Sequence, residues 1–156
     1  MFVDEIMAKN VVTIECGKTV WDACDIYSNY KIGCLLVTKN GRLDGIVTER
    51  DIIHRVIINQ KDPEITKIEE IMSKDIKSVL PTAEIKEAAK IMSQNNIKKL
   101  PVITDDGNLV GIITITDIAN MIPNFLKILA EGGDNESFEE AEGKFHKDDL
   151  SNVESE

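Results

Sequence analysis

The segment Gly45-Ile-Val-Thr48-Glu-Arg-Asp51 returns as Gly111-Ile-Ile-Thr114-Ile-Thr-Asp117, at the end of a stretch that itself copies what lies upstream. With an offset of 65, Ile6, Met7, Ala23, Ile32, Leu35 and Val37 align with Ile71, Met72, Ala88, Ile97, Leu100 and Val102. One extra residue within Asp105-Asp106-Gly107 moves the offset to 66, after which Gly41, Gly45, Thr48, Asp51 and Ile52 match Gly107, Gly111, Thr114, Asp117 and Ile118. A repeat of this length implies that neither unit buries its apolar face alone, so the two stack on one another.

Each copy reads as a short strand, a helix, a hairpin and a closing helix. Val11-Val-Thr-Ile14 alternates as a strand, and Val20, Ala23, Cys24 and Tyr27 recur at helical spacing. Cys34–Thr38 and Leu43–Val47 flank Asn40-Gly41, a pair whose tolerance of positive φ makes it a strong hairpin signal. Copy two repeats this around Gly107, and its helix carries Ile85, Ala88, Ala89 and Met92 on one face. The closing helices are expected near 49–58 and 115–122. The polar joint Asn59–Pro63 reads as a connector, giving repeats at 1–62 and 63–129 and an acidic tail at 130–156. The tail's composition predicts disorder, with a short helix near Ser137–Glu142.

Charge narrows the partners. Residues 1–129 hold 18 acidic and 16 basic side chains, net -2, whereas 130–156 hold 10 and 2, net -8. A near-neutral body with an acidic tail matches the phosphate backbone of nucleic acid poorly. No stretch approaches the roughly 20 apolar residues that span a bilayer, and the start of the chain lacks a signal-type pattern. Cys16, Cys24 and Cys34 leave an odd thiol under any disulfide scheme, which fits a reducing, cytoplasmic setting. No Cys/His spacing resembles a metal site, and no Ser/His/Asp set or acid pair points to turnover. Trp21 reads as a packing residue on the first helix.

The repeated Gly-aliphatic-aliphatic-Thr-x-x-Asp falls where a strand ends and a helix begins. A capping box accounts for Thr48 with Asp51, and Thr19 with Asp22 has the same spacing without the preceding glycine. That glycine is expected to bring backbone close to a ligand lying over the helix N-terminus. Amides there favour a phosphate, the threonine hydroxyl adds a hydrogen bond, and the Asp carboxylate accepts from two ribose hydroxyls.

Taken in order, Ile6-Met7 and Ile71-Met72, Ser78-Val-Leu-Pro81-Thr82, Lys98-Lys-Leu-Pro-Val102 and the two Thr-x-x-Asp motifs resemble a tandem CBS-domain protein, the cystathionine-beta-synthase type of regulatory module, over roughly residues 3–122. The resemblance implies an α/β (α+β) fold of two βαββα repeats, packed sheet to sheet about a pseudo-two-fold axis with a ligand cleft on each edge. One cleft would combine Thr48, Arg50 and Asp51 with Ser78, Ile97, Lys98 and Lys99; the other would combine Thr114, Thr116 and Asp117 with Thr13, Ile32 and Gly33. The lysines make the first the expected phosphate site. The implied function is a non-enzymatic regulatory module that senses AMP, ADP, ATP or an adenosyl compound, needs no cofactor, forms a homodimer and acts on a partner protein. A scaffold with empty clefts is the alternative.

Overall fold

The computed structural model describes residues 1–132, with side chains as far as Pro123. The first copy comprises β1 (Thr13–Glu15), α1 (Val20–Asn29), β2 (Cys34–Lys39), β3 (Arg42–Thr48) and α2 (Glu49–Ile52), the last continuing as a π-helical turn over Ile53–Ile57. A short α3 (Ile68–Ile71) precedes the second copy, which comprises α4 (Ile85–Asn95), β4 (Lys99–Ile103), β5 (Leu109–Thr114) and α5 (Ile115–Gly132). β1 pairs parallel with β2, and β2 antiparallel with β3. In the second copy β4 and β5 form the hairpin, and the equivalent of β1 is reduced to a single parallel bridge, Val79 to Val102. Pro81, which has no N–H to donate, lies just beyond that bridge. The first turn is built as its residues require: Asn40 and Gly41 take φ of 53° and 77°, the two positive values of a type I′ hairpin.

Pairings outside the strands obey the same 65/66 offset as the sequence. Phe2 bridges Glu84 and Thr19 bridges Lys67; Ala8 bridges Ile112 and Ser73 bridges Ile46. The Val3 amide donates to the Ala83 carbonyl at 2.9 Å, as the Ile68 amide donates to Lys18 at 2.8 Å. This is the pseudo-two-fold arrangement of two βαββα repeats. The segment preceding each repeat is exchanged into the other: Ile68, Ile71 and Met72 complete the core of Leu35, Val37 and Val47, while Val3 joins Leu100, Val102 and Ile113, with Ile6 and Met7 packed against them. Each core is thus unfinished without the other copy's leading segment, as expected of repeats that cannot bury their apolar faces alone. The hairpin tips also meet, since Arg42 bridges Asn108 and its guanidinium donates to the Asp106 carbonyl.

Two expectations change. Trp21 is 52% exposed: it lies on the outer face of α1, whose buried residues are Val20 and Ala23. The last helix does not stop at residue 122 but runs through Pro123 to Gly132, giving up the one hydrogen bond that a proline cannot donate. Residues 120 onward form a unit separate from 1–119. The remainder of the acidic tail and its expected short helix lie outside the described residues.

Candidate functional site

At each motif the strand end leaves threonine in extended backbone, and the capping box starts the helix. The Thr48 hydroxyl accepts the Asp51 N–H at 3.1 Å, and Asp51 Oδ2 accepts the Thr48 N–H at 2.9 Å. In the second copy the corresponding distances are 3.1 and 2.7 Å, and the Thr114 hydroxyl adds a bond to Asp117 Oδ2 at 2.7 Å. Thr19 and Asp22 form the same three bonds at 3.2, 2.9 and 3.0 Å. Capping therefore accounts for one oxygen of each carboxylate and does not involve the other.

That second oxygen differs between copies. Asp51 Oδ1 lies 3.4 Å from Arg55 Nη2, and Arg55 Nη1 donates to the Ile71 carbonyl at 2.6 Å. At the matching position the second copy has Met121, and Asp117 Oδ1 has no hydrogen bond or ion pair among the described residues. Arg55 was not among the residues singled out from the sequence, although its i,i+4 spacing from Asp51 is a readable ion-pair signal.

The glycines serve packing. A Cβ on Gly45 would meet Met72, with Cγ at 2.7 Å, and a Cβ on Gly111 would meet Met7 Sδ at 2.5 Å and the Ala8 carbonyl oxygen at 2.9 Å. Both glycines are buried under the exchanged segments, so the close backbone approach expected for a ligand is used by a methionine of the other repeat.

The junctions lie on a common seam. Register sets Cys34 against Thr48 and Lys99 against Thr114, and the Lys98 carbonyl accepts the Ile115 N–H at 2.9 Å. Lys99 Nζ reaches across to Gly33, 3.2 Å from where a Cβ would stand. Burial pushes the Cys34 thiol up from its ordinary pKa, and the Lys99 ammonium partly offsets this. Lys99 thus stands between Thr114 on its own hairpin and Gly33–Cys34 beside Thr48. Tyr27 anchors the end of β3 by donating to the Val47 carbonyl at 2.7 Å; its hydroxyl is held neutral because burial raises its pKa, helped by Cys34, Glu49 and Asp51.

The other expected residues divide. Thr48, Asp51, Thr114 and Asp117 are half-buried at the helix starts, while Arg50 and Thr116 are exposed. Ile97 and Lys98 line a cavity of about 300 Å³ with Met92, Asn96, Ile115 and Ile118, all from the second copy. Ile32 packs against the first core, and half-buried Ser78 precedes the Val79 bridge. Thr13 lines a cavity of about 320 Å³ with Glu15, Thr38 and Leu109.

Among the described residues no cluster of His, Cys, Asp and Glu could hold a metal, and no helix is long and apolar enough to cross a membrane. Residues 3–58 and 68–124 each match the profile of the CBS domain. The chain belongs to the CBS-domain family. The CBS domain-containing protein YhcV of Bacillus subtilis is 32% identical over 117 residues, covering 75% of this chain and 82% of YhcV. Among solved structures, the CBS domain protein TA0289 of Thermoplasma acidophilum is 35% identical with a TM-score of 0.67, covering 77% of this chain and 68% of that one. The CBS domain pair of MJ0100, solved with 5′-methylthioadenosine and S-adenosyl-L-methionine, is 29% identical with a TM-score of 0.69, covering 80% and 97%.

Proposed function

We propose that this CBS pair is a regulatory module without catalytic activity that binds an adenosine-type ligand at the strand-to-helix junctions, with the Asp117 junction as the principal site. The reading rests on one observation above all: the Asp117 carboxylate is oriented by its capping bonds through Oδ2, yet its other oxygen has no partner among the described residues. A ribose diol supplies two donors for such an acceptor. Thr114 faces Lys99 across the hairpin, so a phosphate or other anionic group would find a cation beside a helix N-terminus. The adenosyl ligands of MJ0100 support the same class. Lys99, assigned from the sequence to the Thr48–Asp51 cleft, is in register with Thr114 while its ammonium reaches Gly33 beside Cys34, so it serves either junction.

AMP, ADP and ATP are the proposed nucleotides, and occupancy would be communicated to a partner protein through a homodimer. Ile53, Ile57 and Ile58 are more than half exposed on the closing turn of the first copy, an aliphatic stripe that suits a self-complementary contact. Light scattering at micromolar concentration would return a 17.4 kDa species if that contact did not form.

Thermal unfolding in the presence of AMP, ADP, ATP, S-adenosylmethionine and 5′-methylthioadenosine tests the function. A ligand at 100 times its Kd adds about 2.7 kcal/mol of stability. A melting temperature indifferent to the whole panel would replace this reading with that of a scaffold whose junctions only cap helices.

A further inference from the structure

The copies share a capping box and differ in what meets the outer carboxylate oxygen. In the first, Arg55 lies one helical turn beyond Asp51, with Nη2 3.4 Å from Oδ1. Its other terminal nitrogen is tied to the Ile71 carbonyl in the exchanged segment at 2.6 Å, so the guanidinium is held from both sides. The chain changes there from α to π winding, shown by the Ile58 N–H reaching the Ile53 carbonyl and the Lys61 N–H reaching Val56, both at 2.9 Å. In the second copy Met121 occupies the matching position.

We propose that Arg55 is an internal occupant of the first junction. It fills the acceptor position at Asp51 that a ribose diol would need, and so makes this pair a sensor with one ligand per chain, seated at Asp117. The proposal rests on the reading of the junctions as ribose sites. An exposed i,i+4 ion pair is weak by itself. The second anchor at Ile71 adds a charge-assisted hydrogen bond, and a hydroxyl cannot share the space of the guanidinium. Selectivity between the junctions then comes from a residue four positions after the motif, outside the motif itself.

Titration calorimetry with 5′-methylthioadenosine, which carries the diol but no phosphate, separates this effect from charge attraction; ATP serves as a second probe. The wild type should bind one molecule per chain, lost in Asp117→Asn and retained in Asp51→Asn. Arg55→Gln, which keeps a donor for the Ile71 carbonyl, should open a second site within about tenfold of the first, and adding Asp51→Asn should close it again. Arg55→Lys should stay at one. Two equal sites in the wild type, a single site lost through Asp51→Asn, or an Arg55→Gln variant that still binds one would overturn the role of Arg55 while leaving the adenosine reading intact. No binding of either probe to the wild type or to Arg55→Gln would overturn the adenosine reading itself.

Discussion

The two copies of this protein are the same device finished in two ways. Both start their closing helix with a Thr-x-x-Asp box, both pass a glycine under a methionine of the other copy, and both take a leading segment from across the pseudo-two-fold axis. They part at two places: Gly33–Cys34 against Lys98–Lys99 at the entry of the hairpin, and Arg55 against Met121 after the motif. The first copy therefore has a carboxylate already answered by an arginine and a half-buried thiol beside it. The second has a carboxylate oxygen without a partner among the described residues, and two lysines. A repeated motif guarantees a repeated local fold, whereas what a site does depends on the residues that meet it from outside.

The comparison can be broken most forcefully at the exchanged segments. Ile71 is 1% exposed in the first core, so Ile71→Ala should cost about 2–5 kcal/mol in urea unfolding. Because it belongs to the segment linking the copies, a single cooperative transition should shift as a whole; separate transitions for the two copies would show that the exchange does not couple them.

Next in size is the inequality of the two carboxylates. Asp117→Ala should weaken adenosine-type binding by about 1.5–3 kcal/mol, roughly 10- to 150-fold. Asp51→Ala should change it less than threefold, about 0.65 kcal/mol at the tenfold-per-1.4 scale, and Asp22→Ala should behave like Asp51→Ala. Equal losses at Asp51 and Asp117 would restore two equivalent clefts.

The glycines sharpen the point by a stability measurement. Gly111→Ala should cost about 1–3 kcal/mol as an overpacking change, and more than Gly45→Ala, because its Cβ meets the Ala8 backbone as well as a flexible methionine. If both variants unfolded like the wild type and instead lost ligand binding, the glycines would belong to the site.

The smallest effect concerns Cys34, which the second copy lacks. Its folded pKa is raised above the ordinary 9.0 by burial and pulled back by Lys99. The thiol is therefore protonated at neutral pH, and its preference for the folded state is present below pH 9 and fades as pH rises past that unfolded value. Iodoacetamide at pH 8 should modify Cys34 more slowly than the urea-unfolded chain does. Lys99→Gln should slow it by a further two- to threefold, about the effect of one partly screened charge. Faster alkylation in that variant would remove Lys99 from the neighbourhood of Cys34.

Much of this was legible without coordinates, for reasons that are local. The repeat, the hairpin at Asn40-Gly41 and the boxes at Thr19, Thr48 and Thr114 are encoded within a few residues each, by steric tolerance of positive φ and by a side chain that reaches its own backbone. The apolar spacing of Val20, Ala23, Ala88 and Met92 located the buried helix faces because a helix turns every 3.6 residues whatever surrounds it. Even Arg55 was visible as an i,i+4 partner of Asp51, but its anchor on Ile71 was not.

What the sequence by itself determined is thus the family, the two βαββα units and the positions where helices begin. Tertiary structure alone decided that each leading segment serves the other copy, that Gly45 and Gly111 admit methionines, and that Lys99 stands opposite Thr114 yet reaches Gly33. Those facts depend on which surfaces meet between segments that are not neighbours in the chain, and such a meeting is settled by the joint burial of both cores, to which no single segment's pattern has access.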